Sequence, residues 1–192
     1  SLVHRIQNRT SGYRDVSFDD LVAVYSEQFS ALAEGGVDFF LLETVFDTLN
    51  LKACIFAYNK IFSDANKGIN SGREKIPLIL SATITDKSGR LLSGQTIEAF
   101  WTSVMHAKPF CVGINCALGA QAMKPYVRDL AKIADCYISC YPNAGLPDPL
   151  SESGYSDSPD DMATSLEEFA KEGLVNIIGG CCGSTPQHIE QI

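Results

Sequence analysis

The stretch Leu174-Val175-Asn176-Ile177-Ile178-Gly179-Gly180-Cys181-Cys182-Gly183-Ser184-Thr185-Pro186 passes from an apolar run through glycines and two adjacent thiols into a proline-marked helix start. The apolar run reads as a strand over 174–178 and Thr185-Pro186 as the opening of a helix. A strand that ends in glycines frees the backbone for unusual φ/ψ values, so neighbouring thiols can turn toward one point instead of to opposite faces. A third thiol, Cys116, stands in Phe110-Cys111-Val112-Gly113-Ile114-Asn115-Cys116-Ala117-Leu118-Gly119, again at the end of an apolar strand. If both strands belong to one parallel barrel, their C-terminal ends share a rim where distant residues meet. Three thiolates with one open position are the ligand set of a catalytic zinc, since a structural zinc usually closes all four positions with protein ligands.

Working outward, strand and helix signals alternate along the chain. Ser17-Phe18-Asp19-Asp20 is a capped helix start, followed by Leu21, Val24, Tyr25, Gln28, Phe29, Leu32 and Ala33 at helical spacing up to Gly35-Gly36. Strands are predicted over 37–42, 77–83, 110–114, 136–141 and 174–178. Helices are predicted over 48–62, from a Ser93 cap to 107, over 119–134 and over 158–172, and 63–75 reads as a polar loop. Strands apolar throughout, separated by helices, imply a parallel sheet covered by helices. Polar residues gather where strands end: Glu43-Thr44, Thr85-Asp86, Asn115-Cys116, Asn143 and Cys181-Cys182. That bias suits the active rim of a (β/α) barrel, although a doubly wound open sheet shows it too. No glycine-rich phosphate loop follows the first strand, which counts against nucleotide binding.

The 192 residues, 45% hydrophobic and 20% charged, fit one globular domain with a real core and no internal boundary. A formal net charge of −8 and the lack of a basic run argue against nucleic-acid or anionic-membrane partners. Ser1-Leu2-Val3-His4-Arg5 carries no signal-peptide pattern and no apolar run nears the roughly 20 residues of a membrane span, so a cytoplasmic protein is expected. Of the seven cysteines, Cys54, Cys111, Cys136 and Cys140 read as core thiols of a reducing compartment. Cys181 and Cys182 fit either a metal or a strained vicinal disulfide, and the thiols as a set also admit a redox role. His4, His106 and His188 have no ligand-like spacing and read as surface residues.

The segments Val112-Gly113-Ile114-Asn115-Cys116 and Gly179-Gly180-Cys181-Cys182-Gly183 resemble the signature of the homocysteine methyltransferase family, whose three cysteines hold zinc. Leu42-Glu43-Thr44-Val45-Phe46-Asp47-Thr48, Asp86-Lys87-Ser88-Gly89-Arg90-Leu91-Leu92-Ser93-Gly94-Gln95 and Tyr141-Pro142-Asn143-Ala144-Gly145-Leu146-Pro147 are similar to the homocysteine-binding barrel of cobalamin-dependent methionine synthases. The betaine-dependent relatives share the cysteine pattern but not these loops. The resemblance runs from about Tyr13 to Ile192. It implies an α/β fold of the (β/α)8 barrel type, with zinc on Cys116, Cys181 and Cys182. Homocysteine would be activated there as a zinc thiolate for methyl transfer from methylcobalamin, giving methionine. Partners implied are homocysteine and the cobalamin- and folate-binding domains. Glu43 would receive the substrate amino group, or else favour the following helix N-terminus. Asn115 would orient substrate, or else satisfy a tight turn.

A complete barrel of this type needs eight strand-helix units and about 250 residues, whereas five strands are counted here. The expectation is therefore the last five units, with the first three missing along with part of the amino-acid pocket. The alternatives are a non-catalytic half-barrel that needs its N-terminal part, or a betaine- or S-methylmethionine-type homocysteine methyltransferase.

Overall fold

In the first described helix, α1 (Phe18–Glu34), the Ser17 hydroxyl accepts from the Asp20 amide while the Asp20 carboxylate accepts from the Ser17 amide. This reciprocal box satisfies two donors that helix geometry leaves open. The computed structural model describes residues 15–63, 75–151 and 154–192. The readings made for Ser1 to Arg5, for His4 and for most of the 63–75 loop lie outside these residues.

After α1 follow β1 (Phe40–Val45), α2 (Thr48–Ile61), β2 (Leu78–Ala82), α3 (Ile97–Val104) with a 3-10 turn Met105–Ala107, β3 (Cys111–Gly119), α4 (Ala120–Ile133), β4 (Tyr137–Asn143), α5 (Pro159–Lys171), β5 (Ile177–Ile178) and α6 (Pro186–Gln191). The five strands form one parallel sheet in the order β1-β2-β3-β4-β5. Strictly sequential parallel strands with intervening helices make an arc of a (β/α) barrel; a doubly wound sheet reverses its order at a switch point.

Register sorts the two faces. Leu42, Leu80, Val112 and Ile138 stand in one row and join a continuous core with Ile55, Phe100, Met123, Leu130, Leu166 and Phe169 from the helices. Because successive side chains alternate, the row Ser81, Gly113, Ser139 faces the other way, toward the barrel interior. Gly113 is required there, since a Cβ would collide with Ser139. The interior face thus carries one polar layer, Ser81 and Ser139, above the apolar row Leu41, Ile79 and Cys111, and the main hydrophobic core lies between sheet and helices.

Several boundaries move from their predicted places. β1 starts at Phe40 because its ladder begins opposite Leu78, and the preceding Pro77 offers only its carbonyl, to Phe40 N. α3 is capped by Thr96, which accepts from Ala99 N; Ser93 instead sits in a tight turn where Leu91 N bonds Gln95 O and Gly94 takes φ 87°. β5 is short because Leu174 N still bonds Phe169 O, finishing α5, and pairing with β4 resumes only near Asn176. On α1 the buried residues are Val22, Phe29 and Ala33, while Val24 and Leu32 are exposed.

Candidate metal centre

β3 delivers Asn115 and Cys116 to the rim. The ladder with β4 is interrupted between Asn115 and Gly119, and there Cys116 and Ala117 take φ of 65° and 64°. Two successive left-handed residues without glycine are uncommon and mark a turn held by its surroundings. β5 delivers the thiol pair. Gly180 admits no side chain, because a Cβ would strike Ser184 Oγ, and Gly183 (φ 79°) closes the turn. Both cysteines are tied to the end of β4: Cys181 N donates to Pro142 O at 2.8 Å, Cys182 N to Asn143 Oδ1 at 3.2 Å, and Ala144 N to Cys182 O at 3.0 Å.

These anchors bring the three sulfurs together. Cys116, Cys181 and Cys182 Sγ all lie within 4.8 Å of one another, and Cys116 and Cys182 are 3.6 Å apart. Tetrahedral zinc with bonds of about 2.3 Å would set its sulfurs about 3.8 Å apart, so the cluster has the dimensions of three ligand corners. Every cysteine is a free thiol, so the vicinal pair is not bridged. Burial pushes the Cys116 thiol up to about 12, and its contacts with Cys182 and Cys181 push the same way. A cation among the sulfurs reverses that balance, since a thiol that ligates a metal is deprotonated. The donor set therefore fits a thiophilic metal ion. The remaining thiols stay apart: Cys54, Cys111 and Cys140 are buried and Cys136 is half-buried.

Asn115 is fully buried. Its Oδ1 accepts from Thr44 N at 3.0 Å and Ser81 Oγ at 2.7 Å, and its Nδ2 donates to Thr44 Oγ1 at 3.0 Å and toward Cys181 Sγ at 3.9 Å. Glu43 is exposed on the neighbouring bulge of β1. The Tyr141 phenol is raised chiefly by desolvation, with Cys111 and Glu43 adding to it.

Four further residues have roles that the sequence reading did not assign. Thr44 has φ 58°, a conformation that a threonine gives no sign of adopting. Asn143, noted only as a polar residue at a strand end, anchors Cys182. Tyr155 lies over Gly183, where a Cβ would meet its ring; its phenol is pushed up by desolvation and then by Cys182, Cys116 and Cys181. No spacing in the sequence signals this approach. His188, read as a surface residue, is 2% exposed. Its Nδ1 accepts from Thr185 N at 3.2 Å, so Nε2 carries the proton and donates to Asp157 O at 3.1 Å. The Thr-Pro helix start with His at its third turn position was the available signal, because such a ring can cap the helix as a glutamate does. His188→Ala should cost about 1–3 kcal/mol by stranding Thr185 N and Asp157 O. Urea unfolding measures this, and a change below about 0.5 kcal/mol, the size of an ordinary surface substitution, would remove the capping role.

Sequential parallel strands with a three-thiol cluster on their C-terminal rim define the protein class as a barrel-type α/β protein whose rim carries a cluster of thiols with the dimensions of a metal site. The chain belongs to the homocysteine S-methyltransferase family, whose sequence model matches residues 3–192. Among solved structures it is similar to the homocysteine methyltransferase MmuM from Escherichia coli. The apo form is 20% identical with a TM-score of 0.69, over 95% of this chain and 59% of that one. The oxidized and metallated forms are each 19% identical, with TM-scores of 0.71 and 0.70, over 94% of this chain and 52% of theirs. At this identity the likeness is one of fold. The chain spans 52–59% of the length of these structures.

Proposed function

We propose that this chain is the homocysteine-activating part of a cobalamin-dependent methionine synthase, a single barrel segment without internal boundary that holds zinc on Cys116, Cys181 and Cys182. The observation that carries the reading is the convergence of three thiols from two strand ends to within 4.8 Å. The loops at 42–48, 86–95 and 141–147 support the cobalamin-dependent type through their resemblance to that branch. Free thiols at a half-exposed site suit a reducing compartment such as the cytoplasm. No described helix is long and apolar enough to cross a membrane.

When bound, zinc keeps a fourth sulfur ligand in its thiolate form near neutral pH, where a free thiol of pKa about 8.5 is mostly protonated. The residues of the chain bind and orient. Glu43, exposed on the bulge of β1, would receive the substrate ammonium. The polar part of the interior face, with Ser81, Asn115 and Ser139, holds the floor of the site. Tyr155 covers the Gly183 side. Methylcobalamin, held on a separate domain beside the folate-binding domain, would supply the methyl group to the homocysteine sulfur.

Purified enzyme, reconstituted with zinc, should methylate homocysteine from methylcobalamin. Methylation from betaine or S-methylmethionine alone would refute the donor assignment. Homocysteine binding near pH 7 should release close to one proton per substrate, because its thiol must ionise to become a ligand. Calorimetry in buffers of different ionisation enthalpy measures the proton count, and zero release would mean that the sulfur does not reach the metal.

A further inference from the structure

The Asn115 amide touches both halves of the site. Thr44 N can only donate, so the oxygen of the amide must face it and the NH2 group must face Thr44 Oγ1 and Cys181 Sγ. With Ser81 Oγ also donating to the oxygen, the amide's donors and acceptors are fully used. Its backbone is fixed as well, since Asn115 O accepts from Thr83 Oγ1 at 3.0 Å. Through this one side chain the end of β3 is connected to the bulge of β1, 71 residues away in sequence, and to the thiol after β5, 66 residues away.

The β1 side of the connection is strained. Register with β2 shifts between Leu42 and Val45, and Thr44 within that bulge has φ 58°, where a β-branched residue is a rare outlier. Such a conformation persists only when its surroundings over-determine it. Two of the bonds that hold Thr44 are to Asn115, and the residue they hold in place is the neighbour of Glu43. On the other side, an N–H donor aimed at sulfur fixes the direction in which Cys181 points and stabilises its thiolate form.

We propose that Asn115 is a positioning residue that couples the Glu43 bulge to the Cys181 sulfur, setting the distance between the groups that take the amino end and the sulfur end of the substrate. This rests on the zinc and homocysteine roles proposed above. The coupling means that loosening the bulge disturbs the metal ligand even though the hydrogen bonds of Thr44 go to Asn115 and not to a sulfur.

The test is zinc release to a chromophoric chelator, with calorimetric homocysteine affinity beside it, on the full enzyme. Asn115→Asp keeps the oxygen and the volume, loses both donors and places a carboxylate beside sulfur. It should release zinc about 10- to 100-fold faster, the usual effect of removing a partner of a metal ligand. Thr44→Val keeps β-branching and loses the Oγ1 hydroxyl, the acceptor of the Asn115 Nδ2 bond. It should weaken homocysteine affinity and also speed zinc release several-fold, with Thr44→Ser restoring both. In cobalt-substituted protein the sulfur-to-metal charge-transfer band should shift in Thr44→Val and return in Thr44→Ser. Zinc release and band position unchanged in Thr44→Val would overturn the coupling, even if Asn115→Asp failed to fold. Wild-type protein that retains no zinc would instead overturn the underlying reading, so the two failures are distinguishable.

Discussion

Serine at any one of positions 116, 181 or 182 should lower zinc retention by at least about 100-fold, because loss of even an outer partner of a ligand costs roughly 10- to 100-fold. A serine hydroxyl does not ionise near neutral pH and offers a harder oxygen in place of a thiolate. Convergence makes the three positions equivalent: Cys116 is set by its left-handed turn, and Cys181 and Cys182 by three hydrogen bonds to the end of β4. Cys54→Ser and Cys136→Ser should behave differently. Burial pushes these thiols up to about 12 and about 11, and neither belongs to the three-sulfur cluster. Their cost is in stability, about 1–3 kcal/mol where the new hydroxyl finds no partner. Metal analysis after dialysis against a chelator, paired with denaturant unfolding, separates the two classes. Full zinc in Cys116→Ser would defeat the assignment.

The parts of this site that could be read from sequence are those set by local chemistry. The apolar run before Gly179 fixes where the thiol pair emerges, and the Ser17 and Ser158 caps follow from residues three apart, Asp20 and Asp161. The strand predicted over 77–83 is observed at Leu78–Ala82 for the same reason: it is buried on both faces and bounded by proline. What was not legible depends on partners far away in the chain. Thr44 adopts its left-handed backbone against Asn115, Asn143 becomes an anchor only because Cys182 N arrives 39 residues later, and Tyr155 meets Gly183 across the rim. His188 misled for a related reason. A polar residue on a short terminal helix reads as exposed unless one knows that the Asp157 carbonyl faces it, 31 residues away. The residues that supply sulfur were visible as a spacing, whereas those that aim it were not.

The 192-residue polypeptide by itself should transfer methyl groups to homocysteine at least about 100-fold more slowly than a complete barrel of the family, since displacing one side of a site by about an ångström already costs that much. β1 is bonded to β2 along one edge, and among the described residues no strand pairs with the other. Along that free edge Phe39, Leu41 and Phe46 are 54%, 39% and 40% exposed, and a groove of about 470 Å³ runs between them and the Phe29 and Leu32 side of α1. The same groove reaches Glu43 and Asp47, so whatever completes the sheet there also forms one wall beside the proposed amino-group ligand. An unpaired edge with apolar side chains is a template for association. The polypeptide should accordingly self-associate at micromolar concentration. A charge placed on the edge, as in Leu41→Lys, should reduce that association without restoring homocysteine binding. Supplying the remaining strand-helix units, in cis or as a separate chain, should restore both solubility and affinity, because one added strand would cover the apolar flank and close the pocket. Light scattering and homocysteine calorimetry on the same samples decide the matter: a monodisperse monomer as active as a complete barrel would show that the free edge of β1 is neither a liability nor a gap in the site.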